Sequence, residues 1–212
     1  MGPCLRSTTL VLLASIALGG CGSDEGGGGP QATVWESTAG DFSVCKDTTG
    51  ATLVVNGSAT GAVGDDERND VTFLAGECRA VMLFDYVTAT NIFPAGTVID
   101  SAQLFVYIAS YTGSSPSSNV VIESIEWTDD EADAYSAIDE TSIAPVIFTP
   151  SNGGYIFNAD EISPVIGTGG LMAYRLRMQA PDPLNGATNS WNFAMSEAGT
   201  ETRAKLTFFW TR

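Results

Sequence analysis

The sequence predicts an all-β sandwich, and three observations predict it. Apolar residues alternate with a period of two far more often than with the helical 3.6. Clusters of Gly, Asn, Asp, Ser and Pro break that alternation about every ten to fifteen residues, which is the spacing of strands and turns in a sandwich. The part of the chain able to form a core, residues 31–212, has the length of one sizeable domain.

The N-terminal stretch MGPCLRSTTLVLL carries one positive charge, Arg6, and leads into an apolar run from Leu10 to Leu18. That run is too short to span a bilayer and suits the hydrophobic region of a secretory signal, so residues 1–20 are expected to be a targeting segment. The tetrapeptide Leu18-Gly19-Gly20-Cys21 resembles the lipobox of bacterial lipoproteins. The resemblance implies a lipid on the Cys21 thiol, cleavage before it and acylation of the new terminus. Several acyl chains, at about 0.8 kcal/mol per buried methylene, would hold the protein at a membrane. The alternative is a secreted protein in which this cysteine falls by chance. Residues 21–30 then form a Gly-rich tether with nothing to bury. Gly22 stands where an aspartate would favour retention at the inner membrane, so the expected address is the outer membrane or cell surface.

Residues 21–212 keep 8 of the 9 basic residues and all 25 acidic ones, a net charge of −17. Such a field repels nucleic acid and anionic lipid surfaces. The chain has no histidine, which excludes a Ser-His-Asp triad and the usual nitrogen ligand of zinc. Of the four cysteines, Cys4 leaves with the signal and Cys21 takes lipid. Cys45 and Cys78 remain as a pair outside the cell, where a disulfide is the natural state. A two-cysteine metal site is the poorer alternative.

Along the domain, SAQLFVYIAS places Leu104, Val106 and Ile108 on one face and Phe105 and Tyr107 on the other. The two outward aromatics could form a platform for a sugar ring, or face a core if a second sheet covers them. Only residues 129–138, after Trp127, look able to form a helical turn or two, and Trp127 is expected to close one end of the sandwich. In this acidic loop Asp129, Glu131 and Asp133 are spaced two apart, with Glu140 at the twelfth position, an echo of calcium-loop spacing. The sixth position is Ala134 rather than glycine and the flanks are strand-like, so an EF-hand is not expected. A calcium site of another kind remains an alternative to a plain solvated turn.

In LMAYRLRMQ, Met172, Tyr174, Leu176 and Met178 point one way, and Ala173, Arg175 and Arg177 the other. The last strand, RAKLTFFWT, turns Ala204, Leu206, Phe208 and Trp210 inward and Arg203 and Lys205 outward. If these two strands share a sheet, Arg175, Arg177, Arg203 and Lys205 form a cationic patch on an acidic protein, suited to carboxylates. The alternative is scattered charges that keep a sheet face soluble.

Three blocks carry a family resemblance. CRAVMLFDYVTATNIFPAGTVIDSAQLFVYIAS, GGYIFNADEISPVIGTGGLMAYRLRM and NSWNFAMSEAGTETRAKLTFFW resemble, in order and near the same spacing, the strands of DNRLRE domains, which overlap with carbohydrate-binding module family 96. Leu83 stands where the family usually has an arginine before its Phe-Asp pair, and the region from Thr33 to Glu77 is dissimilar. The resemblance implies a jelly-roll β-sandwich of two antiparallel sheets, used as a surface-attached and often carbohydrate-binding module. It makes an acidic polysaccharide a plausible partner.

The acidic residues crowd into turns such as GDDERND and WTDDEADAY, and no G-x-S-x-G elbow occurs. The expected function is therefore polysaccharide binding without catalysis. The alternatives are a structural or adhesive surface module, and an enzyme that cleaves polysaccharide with a pair of those carboxylates.

Overall fold

The computed structural model describes residues 30–38, 40–67, 75–85, 93, 95–113, 119–137, 139–146, 153–158, 170–180 and 187–212. Residues 1–29, which hold the expected signal (1–20) and all of the expected tether (21–30) except Pro30, lie outside them. Among the described residues twelve strands run in the order β1 (Gln31–Glu36), β2 (Phe42–Asp47), β3 (Thr52–Asn56), β4 (Thr60–Asp66), β5 (Gly76–Asp85), β6 (Val98–Thr112), β7 (Val120–Ile125), β8 (Asp139–Val146), β9 (Gly153–Asn158), β10 (Leu171–Met178), β11 (Asn189–Ala194) and β12 (Lys205–Thr211). Between β7 and β8 lies a single 3-10 turn, Asp133–Tyr135. The protein is all-β, and every strand pair among the described residues is antiparallel.

The hydrogen-bonded path runs β1-β12-β6-β11-β4-β5-β10-β7-β8, with the β2–β3 hairpin attached to β5 and β9 attached to β6. The two longest strands make the bends. β6 pairs with β12 through its first half and with β11 through its last residues. β5 pairs with β4 through Gly76–Cys78 and with β10 from Ala80 onward. Folded this way, the sheet brings β6 and β12 across from β5, β10 and β7 over one core. Leu104, Val106, Ile108, Leu206 and Phe208 meet Met82, Phe84, Met172, Tyr174 and Leu176 there, all buried. The faces expected from alternation on β6, β10 and β12 are the faces that the core uses.

A second apolar cluster covers the opposite face of β5 and β10. Phe42, Val44, Val81, Leu83 and Ala173 pack there against Ile125, Trp127 and Ala134. Trp127 is 5% exposed, its ring 5.6 Å from that of Phe42. The segment after β7 thus returns across the sheet face instead of closing one end of the core.

Candidate functional site

Cys45 and Cys78 face each other as register partners on β2 and β5 and form the expected disulfide. Asp66 lies beside them, so these three residues are the one group of three potential ligands brought together among the described residues. With both sulfurs committed to the disulfide, no thiolate is available to bind metal.

The four basic residues expected on one surface are not together. Arg175 is 3% exposed. Its Nε and Nη2 donate to Glu123 Oε2 at 2.8 and 2.6 Å, and its Nη1 donates to the carbonyls of Ala134, Tyr135 and Ala137 at 2.9 to 3.0 Å. Arg177 Nε donates to the other oxygen, Glu123 Oε1, at 2.6 Å. Burial lowers the Arg175 pKa, and the Glu123 carboxylate opposes that shift. Cover takes Arg175 out of the surface: the Trp127–Ala137 segment lies over the face on which it projects. Neighbouring Arg79 completes the seam. Its guanidinium lies 3.9 Å from the centroid of the Tyr135 ring, and the Tyr135 hydroxyl donates to Glu77 Oε2.

Arg203 and Lys205 belong to the other side of the fold, because β6, β11, β4 and β5 intervene between β12 and β10 in the path. Arg203 pairs with Glu36 at 3.3 Å, and Lys205 Nζ sits 5.9 Å from the Phe105 ring centroid. Phe105 and Tyr107 are half-buried on the outer face of β6. The Phe105 ring lies over Gly154, where a Cβ would come within 2.4 Å of a ring carbon. Exposed Ile156 lies opposite Phe105, so an aliphatic side chain stands beside the ring on this face.

Among the described residues the acidic loop does not bring three carboxylates together. Asp129 Oδ1 accepts from Trp127 Nε1 at 3.2 Å, and Glu131 Oε1 accepts from Asn56 Nδ2 at 2.9 Å. Asp133 opens the 3-10 turn. The side chain of Glu140 lies outside the described residues. Asp129 and Glu131 therefore serve separate protein donors.

Sequence reasoning did not find the feature with the shape of a site. A groove of about 360 Å³ lies between the β2–β3 hairpin on one side and β4, β11 and the end of β6 on the other. The disulfide and Asp66 line it, with Ser43 and Val55 from the hairpin. Across from them stand Thr60, Ala62, Thr112, Thr188, Ser190 and Asn192. Two local causes make the depression. Besides Asp66, β4 offers small residues near the disulfide: at Gly64, the register partner of Cys78, φ is +137° and a Cβ would meet the Asn189 carbonyl oxygen at 2.4 Å. On β6, the register shifts where Phe193 pairs with Ile108 and Asn192 with Ser110. The extra residue, Ala109, lets Thr112 turn to the groove side although Leu104, Val106 and Ile108 face the core.

No protein-family model matches the chain, and no curated protein matches it.

Proposed function

We propose that the protein is a bacterial surface lipoprotein, held through Cys21 at the outer membrane or cell surface, whose single DNRLRE-like domain of jelly-roll type binds polysaccharide without cleaving it. The observation that carries this reading is the groove. Its volume falls in the range of small-ligand sites, and hydroxyl and amide groups from four strands line it. The three blocks that resemble the family supply β5 with β6, β9 with β10, and β11 with β12. Those strands pair with one another in the fold.

The absence of catalysis is proposed on what the carboxylates do. Asp41, Asp47 and Asp130 accept backbone N–H groups, and Glu123 is enclosed by two arginines. A structural or adhesive role is the second reading, favoured by Val34 and Ile156, which are 54% and 65% exposed. Retention on immobilised polysaccharide, followed by an assay for new reducing ends, separates these functions. Retention without release of reducing ends supports binding. Release supports an enzyme, and passage without retention supports the structural role.

A further inference from the structure

We propose that Asn56 and Gly57 form a site of self-deamidation, and that the carboxylate made there stands against Glu131 and loosens the 127–137 segment where it meets the β2–β3 hairpin. This goes beyond the binding function and does not depend on it. Asn56 is the last residue of β3 and is exposed, and its pairing with Phe42 ends the β2–β3 ladder. Gly57 follows beyond the ladder with φ +65°, and nothing lies within 4 Å of the place a Cβ would take. Of the asparagines whose side chains are described, Asn56, Asn119, Asn189 and Asn192, only Asn56 precedes a glycine.

These features meet the demands of the reaction. The backbone nitrogen of Gly57 gives up its proton and attacks Cγ of Asn56, closing a cyclic imide. The Cγ–Nδ2 bond breaks, and Nδ2 leaves as ammonia with that proton. Water then opens the ring at either carbonyl, giving aspartate or, with the chain now running through Cγ, isoaspartate. One water enters and one ammonia leaves, so the step needs no oxidant, reductant or cofactor. A Cβ on the attacking residue would crowd the ring closure, and a place inside the ladder would hold the peptide unit in its strand geometry. A glycine past the last register pair removes both obstacles.

The amide that would be lost is in use. Asn56 Nδ2 donates to Glu131 Oε1 at 2.9 Å, across a sequence separation of 75. The bond ties the hairpin to the segment that packs over Phe42, Val81, Leu83 and Ala173. An ionised carboxylate accepts hydrogen bonds and cannot donate them, so after conversion two acceptors of like charge face each other and the tie becomes a repulsion. Arg175 and Arg79 still hold the carbonyls of Ala134, Tyr135 and Ala137, which confines the loosening to the first part of the segment.

The test is peptide mapping of the intact protein after incubation in warm, mildly alkaline buffer with neutral detergent. Trypsin releases residues 47–68 as one peptide in which Asn56 is the one side-chain amide, so its mass reports this site alone. The peptide should gain the mass of an amide-to-acid change, with isoaspartate the larger product, and Gly57→Ala should slow the gain severalfold. An Asn56 that stays intact in the folded protein while a synthetic 47–68 peptide converts would overturn the site. In Asn56→Asp, hydrogen exchange of the amides of residues 127–132 should run about fivefold faster than in the wild type, the effect of one lost hydrogen bond, and Glu131→Gln in that background should restore it. Exchange that Asn56→Asp leaves unchanged, or that Glu131→Gln fails to restore, would overturn the coupling to the segment.

Discussion

Glu123 and Arg175 are register partners on neighbouring strands, and both are shut away from solvent where the chain returns over the sheet. Glu123 is fully buried, and one of its oxygens takes two hydrogen bonds from the Arg175 guanidinium. The pair does two jobs. It neutralises a charge inside the protein, and through Arg175 Nη1 it holds three backbone carbonyls of the Ala134–Ala137 stretch against the sheet.

Replacing Arg175 with alanine leaves Glu123 with only Arg177 and leaves those carbonyls without their donor. Breaking a buried pair from one side costs on the order of 3 to 5 kcal/mol. Urea denaturation of Arg175→Ala should show a loss of that size, whereas Lys205→Ala, at a half-exposed position, should lose under about 1 kcal/mol. Equal, small losses in both variants would mean that Arg175 is not the clasp described.

A second expectation concerns pH. Asp41 is 1% exposed and ties two distant segments together, its Oδ1 accepting from Leu83 N–H at 2.7 Å and its Oδ2 from Ser196 N–H at 3.0 Å. Burial, with help from the nearby Glu197 carboxylate, pushes its pKa up to about 7 from 3.8, against the lowering effect of those N–H groups. The folded state therefore holds this proton more tightly than the unfolded chain does. Its contribution to stability is full below pH 3.8 and is lost as pH rises through about 7. In Asp41→Asn, one N–H must face an amide NH2, which costs about 1 to 3 kcal/mol at any pH, and the titration disappears. Denaturation midpoints at several pH values between 4 and 7.5 should converge toward high pH for the two proteins. A constant difference would refute the assignment.

The disulfide yields a third. It closes a loop with a sequence separation of 33, worth roughly 3 to 4 kcal/mol on the chain-entropy model. Because Cys45 and Cys78 form their own small cluster with Leu53 and Ala62, apart from the main core, the Cys45→Ser, Cys78→Ser double variant should fold with a lower melting temperature. A variant as stable as the wild type would contradict this.

The acidic loop gives a fourth. With Asp129 and Glu131 already bonded to Trp127 and Asn56, calcium has no prepared cage among the described residues, and the melting temperature should not rise with calcium concentration. A rise that follows mass action, lost in Asp129→Asn, would restore the calcium site.

These cases show what could be read from the sequence. Alternation told which residues share a face, and the burial of Leu104, Val106 and Ile108, of Met172 through Met178 at every second position, and of Leu206, Phe208 and Trp210 follows it. Alternation does not tell what covers the second face. Alternation turns Arg175 away from the core, as the structure does, but the Trp127–Ala137 segment lies on top of it. Glu123 could have signalled this, as a lone carboxylate inside the apolar run VVIESI that needs a cationic partner if that strand is central. The groove was illegible for a different reason. It depends on strands far apart in sequence and on a one-residue shift at Asn192, which reverses the facing of Thr112 after a run that otherwise alternates without interruption.

The proposed lipid anchor has its own expectation. Cys21→Ser should move the protein from the membrane to the soluble fraction and abolish its labelling by radioactive palmitate. Unchanged fractionation would remove the lipoprotein reading and leave the domain untouched.

A glycan array probed with the intact wild-type protein and with Ser190→Leu tests whether the groove beside the disulfide binds glycan. Wild-type signal should appear on a subset of glycans and be lost in a Ser190→Leu protein that still unfolds cooperatively. Identical array profiles for the two proteins would contradict it.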